Sequence, residues 1–425
     1  MKIAIPRPFG QNYAFVVAGA VFLALLSAAA LRSAPGVLML PLEKAFGWNR
    51  ATVSAAAAVG ILLYGLTGPF AAALMQTLGV RRVVTLSLLL MAVSTGLSAF
   101  MTQAWQYVAT WGVMAGFGSG AVAMVLGATV VNRWFIARRG LMLGLLTAST
   151  ATGTLVFLPA MAALADVGGW RPVVLTIAGV TAVLAPVMWI LLPERPQDIG
   201  QTPFGAPADY VPPPAATTGA LSNAFRALRD AAKTRTFWLL FTGFFVCGLT
   251  TNGLVGTHLI ALCGDHGMSE TRAAGLLALM GLFDLFGTTA SGWLTDRYDP
   301  RKLLFVYYGL RGISLIILPF TDFSIVSLGT FAVFYGLDWI ATVPPTVRLA
   351  TEAFGDQDGP IVFGWIAAGH QAGAATAAIT AGLLRAMEGR YLEAFMLAGM
   401  TGFIAATASI MIRRPVKVGA TALAA

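Results

Sequence analysis

Gly292-Trp293-Leu294-Thr295-Asp296-Arg297-Tyr298-Asp299-Pro300-Arg301-Lys302 closes an apolar run that starts near residue 270. A run of about 20 predominantly apolar residues is what one crossing of a hydrocarbon core requires. The basic residues at its end mark the face that stays in the cytoplasm. Reading outward in both directions, with glycine, proline and charge as punctuation, the same pattern recurs along the chain. Spans are expected near 13–38, 51–76, 81–101, 105–132, 140–165 and 171–192, and again near 236–261, 270–295, 301–321, 323–349, 360–386 and 391–412. The composition agrees: of 425 residues 57% are hydrophobic and 11% charged, against roughly 25% charged in a soluble domain. A large water-soluble domain is excluded. The first run has no convincing cleavage site and reads as a helix, not a removable signal.

Orientation follows from lysine and arginine. With the N-terminus in the cytoplasm, nineteen of the 27 fall on inside segments, among them Arg81, Arg82, Arg133, Arg297, Arg301 and Lys302. Six fall outside (Lys44, Arg50, Arg171, Arg272, Arg385, Arg390), and Arg32 and Arg311 lie within spans. Both termini are therefore expected in the cytoplasm. The net charge of +9 follows from this topology and gives no reason to expect nucleic acid. The organisation expected is a six-helix bundle over 1–192, a cytoplasmic linker over 193–235 and a second six-helix bundle over 236–425. The linker runs through Pro212-Pro213-Pro214 to a basic amphipathic stretch, Ala224–Lys233, read as a solvated tether along the membrane surface. Cys247 and Cys263 lie too far apart on one helix for a disulfide and read as packing residues.

Shifting the second half back by 220 positions aligns Gly36 with Gly256, Gly47 with Gly267, Arg81 with Arg301, Arg82 with Lys302 and Gly169 with Gly389. One offset serving loops and basic pairs together points to an internal repeat.

The stretch Gly292–Arg297 followed by Arg301-Lys302 resembles the cytoplasmic signature of the major facilitator superfamily. The resemblance implies an all-α membrane protein with twelve transmembrane helices in two pseudo-symmetric six-helix bundles that rock about a midplane site. It also implies a cytoplasmic gate of Asp296, Arg297, Arg301, Arg81 and Arg82, in which a carboxylate beside cations latches the halves in one state. In the first half Gln76 stands where the acid would be. Positive-inside anchoring alone is the competing account of these residues.

Four further stretches look like the monocarboxylate transporter and oxalate:formate antiporter branch. They are Pro41–Ala51, Trp134–Gly140, Gly169-Trp170-Arg171 and Arg195–Gly200. That branch commonly carries an aspartate on helix 8 with an arginine four residues later. Here Asp284 is present but Thr288 takes the arginine's place. Oxalate-type members use a basic residue on helix 11, where this chain has His370.

Charges inside a bilayer are costly and usually face the bundle interior. Arg311 and Asp338, near the middles of consecutive helices, are expected either to meet as a buried ion pair or to serve proton coupling. Arg32 precedes Pro35-Gly36, which should interrupt or bend helix 1 beside the cavity. Its planar fork suits a carboxylate, with snorkelling to the outer interface as the competing account. Asp284 lacks a charged partner on its own helix, and burial without one favours a carboxylate's neutral form, which suits proton loading and release. His370-Gln371, flanked by Gly369 and Gly373, is either an anion site or a helix contact. Tyr64, aligned with Asp284, Asn252, aligned with Arg32, and His258 complete the candidates for substrate binding.

No Gly-Lys dipeptide exists for a phosphate-binding loop, and three histidines form no metal-type cluster. No cofactor or metal is expected, the chain is not expected to be an enzyme, and energy must come from a gradient. The first reading is a secondary transporter of a small organic anion, a monocarboxylate, coupled to protons, working as a monomer in a bacterial inner membrane. The alternatives are export of an amphipathic or drug-like solute and, from another class, a non-transporting membrane sensor.

Overall fold

The computed structural model describes residues 13–207, 209–210 and 220–413. Twelve long helices follow one another: α1 (Tyr13–Phe46), α2 (Arg50–Thr77), α3 (Val80–Ser98), α4 (Ala104–Trp134), α5 (Arg139–Gly168), α6 (Trp170–Leu191), α7 (Arg235–Asp265), α8 (Glu270–Arg297), α9 (Pro300–Ile317), α10 (Ile325–Gly355), α11 (356–388) and α12 (Leu392–Ile410). Among the described residues ten helices are long and apolar enough to cross a membrane; α5 and α11 are the other two of the twelve. Side-chain caps set several starts. Asn49 accepts from the Thr52 amide ahead of α2, Ser269 caps α8, and Asp299 with Pro300 opens α9.

Two boundaries differ from expectation. α1 does not stop near residue 38 but continues through Pro35 and Pro41 to Phe46, because neighbouring helices tolerate the missing proline donors. α10 runs on to Gly355, whose φ of +80° turns the chain sharply into α11.

Irregular backbone is concentrated in α4, α7 and α10. α4 has a wide turn over Val108–Met114 and a break at Val122-Ala123, α7 has a wide turn over Leu249–Val255, and α10 breaks at 339–342. The shift of 220 maps the break in α4 onto that in α10. It also maps contacts. Met91 lies against Gly118 in the first bundle, and their counterparts Arg311 and Asp338 form an ion pair in the second. Tyr64 lies against Gly120, and their counterparts Asp284 and Ile340 share a hydrogen bond.

The bundles meet along α2 with α11, α5 with α8, and α1 with α7. The α7–α11 contact inside the second bundle needs its glycine: a Cβ at Gly373 would overlap the Phe245 carbonyl oxygen.

The linker departs from a solvated tether. Its helix (Ala220–Ala231) docks on α11 and α2: Trp365 Nε1 donates to the Ala224 carbonyl at 3.0 Å, Arg226 pairs with Asp358 at 3.4 Å, and the Phe225 ring sits between Phe70 and Trp365. The Pro212–Pro214 run lies outside the described residues.

Upstream, the Glu194 carboxylate accepts from the amides of Val80 and Arg81 at 2.6 and 3.1 Å, capping α3. In the repeat this role belongs to Asp299, whose first-half counterpart is Gly79. A Cβ there would stand 2.5 Å from Glu194 Oε1, so glycine at 79 makes room for an acid supplied from the other end of the bundle.

Candidate functional site

A cavity of about 540 Å³ lies between the bundles at the level of the helix irregularities. Pro35 and Gly36 of α1, Trp111 and Ser119 of α4, Thr251 and Asn252 of α7, and Trp339 and Ile340 of α10 all line it. Non-helical backbone at membrane depth is tolerated where it faces such a cavity.

Six of the residues singled out in the sequence converge here: Arg32, Tyr64, Asn252, Asp284, His370 and Gln371. The Arg32 guanidinium sits over the Tyr64 ring, 4.7 Å from its centroid, an arrangement that offsets part of the cost of a charge in a low-dielectric wall. Its Nη1 is shielded from solvent and has no hydrogen-bond partner among the described residues. Arg32 thus points into the cavity wall and does not snorkel. Across the cavity, the His370 ring packs against Phe244 at 5.1 Å, its Nδ1 without a hydrogen-bond partner among the described residues, and the Gln371 stem lies against Gly65 of α2.

Asp284 is buried, 5% exposed, and no basic side chain bonds it among the described residues. One oxygen accepts from the Thr288 hydroxyl at 2.9 Å and from the Ile340 amide at 3.0 Å, an amide freed by the break in α10. The threonine that replaces an arginine thus serves the same aspartate, as a neutral donor.

Arg311 and Asp338 do meet, Nε to Oδ2 at 2.6 Å, and the remaining guanidinium nitrogens bond the carbonyls of Asp338 and Trp339 and, at 3.0 Å, the Cys247 sulfur. The pair stands behind the wall. Cys247 links it to the cavity, bonding Arg311 on one side and Thr342 at 3.2 Å while lining the cavity itself. That is more than the packing role read from sequence.

His258 does not belong to the cavity. It is fully buried near the outer end of α7, with Nε2 2.8 Å from the Ala378 carbonyl and Nδ1 2.9 Å from the Tyr391 hydroxyl. A carbonyl only accepts, so Nε2 carries the proton and Tyr391 donates to Nδ1. Tyr391 in turn accepts from Arg50 Nη1 at 3.0 Å. Arg50 also holds Glu43 at 2.7 Å and Asp265 of the other bundle at 2.7 Å, and Arg385 binds Asp265 at 2.9 Å. Along the α5–α8 side, Lys44 faces Glu270 at 3.7 Å and Thr271 bonds Asp166. These contacts close the outer side. Sequence reasoning missed the cluster, although the shift of 220 sets Arg50 opposite an acid, Glu270.

Among the described residues the cytoplasmic gate candidates do not join the bundles. Arg81 Nε donates to the Leu192 carbonyl, Arg301 pairs with Asp299 at 2.7 Å, Arg297 stacks on Trp293, and Asp296 and Arg82 are exposed. The bundles are thus bonded to each other on the outer side, and among the described residues no hydrogen bond or ion pair joins them directly on the inner side.

Two helical bundles around a midplane cavity, closed by a polar cluster at one end, define a polytopic solute transporter of the alternating-access type. The family model of the Major Facilitator Superfamily matches residues 21–357, and the chain belongs to that superfamily. It is a family of transporters, not enzymes. The chain is 28% identical over 403 residues to monocarboxylate transporter 13 of Rattus norvegicus, covering 94% of this chain and 88% of that one. It is 26% identical over 322 residues to the uncharacterized MFS-type transporter YcxA of Bacillus subtilis, covering 74% of each. The resemblance to the monocarboxylate transporter branch therefore holds across most of the chain. Among solved structures, a bacterial homolog of the human lysosomal transporter Spinster, inward-facing and unoccupied, superposes with a TM-score of 0.71 at 16% identity, over 97% of this chain and all (100%) of that one. The nucleoside transporter NupG superposes with a TM-score of 0.76 at 11% identity, over 95% and 100%. Both share the fold.

Proposed function

We propose that this chain is a proton-coupled secondary transporter that moves a small organic anion, a monocarboxylate, across a bacterial inner membrane by alternating access. The observation that carries the reading is Arg32: a permanent cation that lines the cavity, braced by Tyr64 and, among the described residues, without an acidic partner. A substrate carboxylate supplies that partner in a charge-assisted bond. Asn252, His370 and Gln371 contact the substrate from the second bundle. Asp284, buried in the same wall and bonded by no basic side chain among the described residues, takes and releases the proton, with Arg311 and Asp338 behind it. Residues 1–192 and 236–425 move as two bodies joined by the 193–235 linker, in a monomer. The relatives named as monocarboxylate transporters support the substrate class.

The test is uptake of labelled monocarboxylates into proteoliposomes with and without an inward-acid gradient. Saturable uptake that the gradient drives above equilibrium and that Arg32→Ala abolishes is expected. Absence of saturable uptake of any carboxylate would sink the reading. The apolar share of the cavity favours a second reading, export of an amphipathic solute, for which neutral compounds would be transported independently of Arg32.

A further inference from the structure

We infer that the cavity selects carboxylates carrying a ring or a comparably broad apolar body over acids of two or three carbons. This rests on the anion reading above and asks what stands across from the cation. Phe244, Phe363 and Trp339 line the second-bundle wall. The rings of Phe244 and Phe363 lie 5.5 Å apart at 55°, and the His370 ring continues the row at 5.1 Å and 51°. Phe244 is itself nearly buried and backs Phe363, and the exposed parts of the half-buried Phe363 and Trp339 rings face the cavity and leave room for the tilted and offset arrangements that aromatic quadrupoles prefer. Trp339 is held in place: its outer edge rests 3.8 Å from the Cβ position of Gly256, and Tyr335 meets it edge-on at 5.7 Å.

Size points the same way. A cavity of 540 Å³ falls within the range that encloses a drug-sized ligand, and apolar side chains make up most of its wall. A two- or three-carbon acid satisfies Arg32 and leaves the aromatic row wetted. A ring-bearing acid satisfies both, with its carboxylate on Arg32 and its body against Phe244, Phe363 and Trp339. Those two contacts belong to opposite bundles, so the same ligand ties the bundles together, and burying a ring adds apolar area that a short acid lacks.

The discriminating experiment uses the full chain in proteoliposomes and measures displacement of radiolabelled phenylacetate by phenylacetate, lactate, pyruvate and phenylacetamide. Phenylacetate is expected to bind at least about tenfold more tightly than lactate or pyruvate, a gap of about 1.4 kcal/mol. Phe244→Ala and, as a milder change, Phe363→Leu should each cut the phenylacetate-to-lactate preference about tenfold. Thermal unfolding of each variant identifies any that has not folded, and the other then decides. Lactate binding as tightly as phenylacetate, or both acids weakening equally in a folded variant, overturns the inference and leaves the anion reading standing. Phenylacetamide binding as well as phenylacetate overturns the anion reading itself, and with it the carboxylate selected here.

Discussion

Arg50 at the start of α2 grips Asp265 at the end of α7 with both terminal nitrogens, at 2.7 and 3.1 Å, across the boundary between the bundles. The pair is two-pronged and Arg50 is nearly buried, the geometry in which an ion pair matters most. Removing one partner strands the other, at a cost of about 2–5 kcal/mol for interfacial pairs of this kind. Asp265→Asn and Arg50→Ala should therefore shift the carrier toward outward opening. A cysteine at Ala58, buried between α2 and α11 beside Ala375 and Ala378, reports this in a background lacking Cys247 and Cys263. Its labelling by an impermeant thiol reagent from outside should rise at least about tenfold. Unchanged labelling would show that the pair does not hold the outer side shut.

Arg32→Lys keeps the charge and loses the planar fork, so substrate affinity should fall about tenfold, with a larger loss in Arg32→Ala. Tyr64→Phe retains the ring beneath the guanidinium and should cost little, whereas Tyr64→Ala should approach the Arg32 loss. Equal affinities in Tyr64→Ala and the parent would remove the ring from the account.

Asp284→Asn keeps the shape and the Thr288 and Ile340 contacts but cannot cycle a proton. Gradient-driven accumulation should vanish while counterflow continues. Accumulation persisting at the parent level assigns the proton elsewhere, with Asp338 the next residue to test.

Gly79→Ala forces a side chain to a φ of +92° and into the Glu194 carboxylate. Its cost should be about 1–3 kcal/mol, seen as a lower Tm in detergent. Glu194→Gln removes the charge at the α3 terminus and should cost less, about 1 kcal/mol. A Gly79→Ala variant as stable as the parent would contradict the packing described.

Arg311→Met or Asp338→Leu alone leaves an unpaired group behind the cavity wall and should destabilise by about 3–5 kcal/mol, whereas the two changes together should recover much of it. The first bundle already fills the equivalent place with Met91 against Gly118, without charge. Additive losses in the double variant would argue for roles beyond the pair.

Much of this architecture was legible in one dimension. Span lengths, loop charges and the shift of 220 follow from local composition, and Arg311 with Asp338 lie at matching depths on consecutive helices. What was not legible depends on which helices meet. His258 reads as a mid-helix polar residue until α12 brings Tyr391 to it. Arg50 reads as a loop cation until α7 ends beside α2. Glu194 reads as part of a linker until the chain returns it to the amides of Val80 and Arg81. Pro35 reads as a break, yet α1 continues through it because packed neighbours, not the helix alone, stabilise the turn. Pattern fixes periodicity and depth, and tertiary closure chooses partners.

The unmatched nitrogen of Arg32 bears on speed as well as affinity. On the proposed anion reading, an empty carrier would take that cation bare through the closed intermediate, whereas a loaded one would take it neutralised. Returning empty would then be the slow half of the cycle, and solute waiting on the far side would accelerate it. On this account one-for-one exchange outpaces net flux, and the imbalance shrinks as the guanidinium is replaced by groups that need no counter-ion.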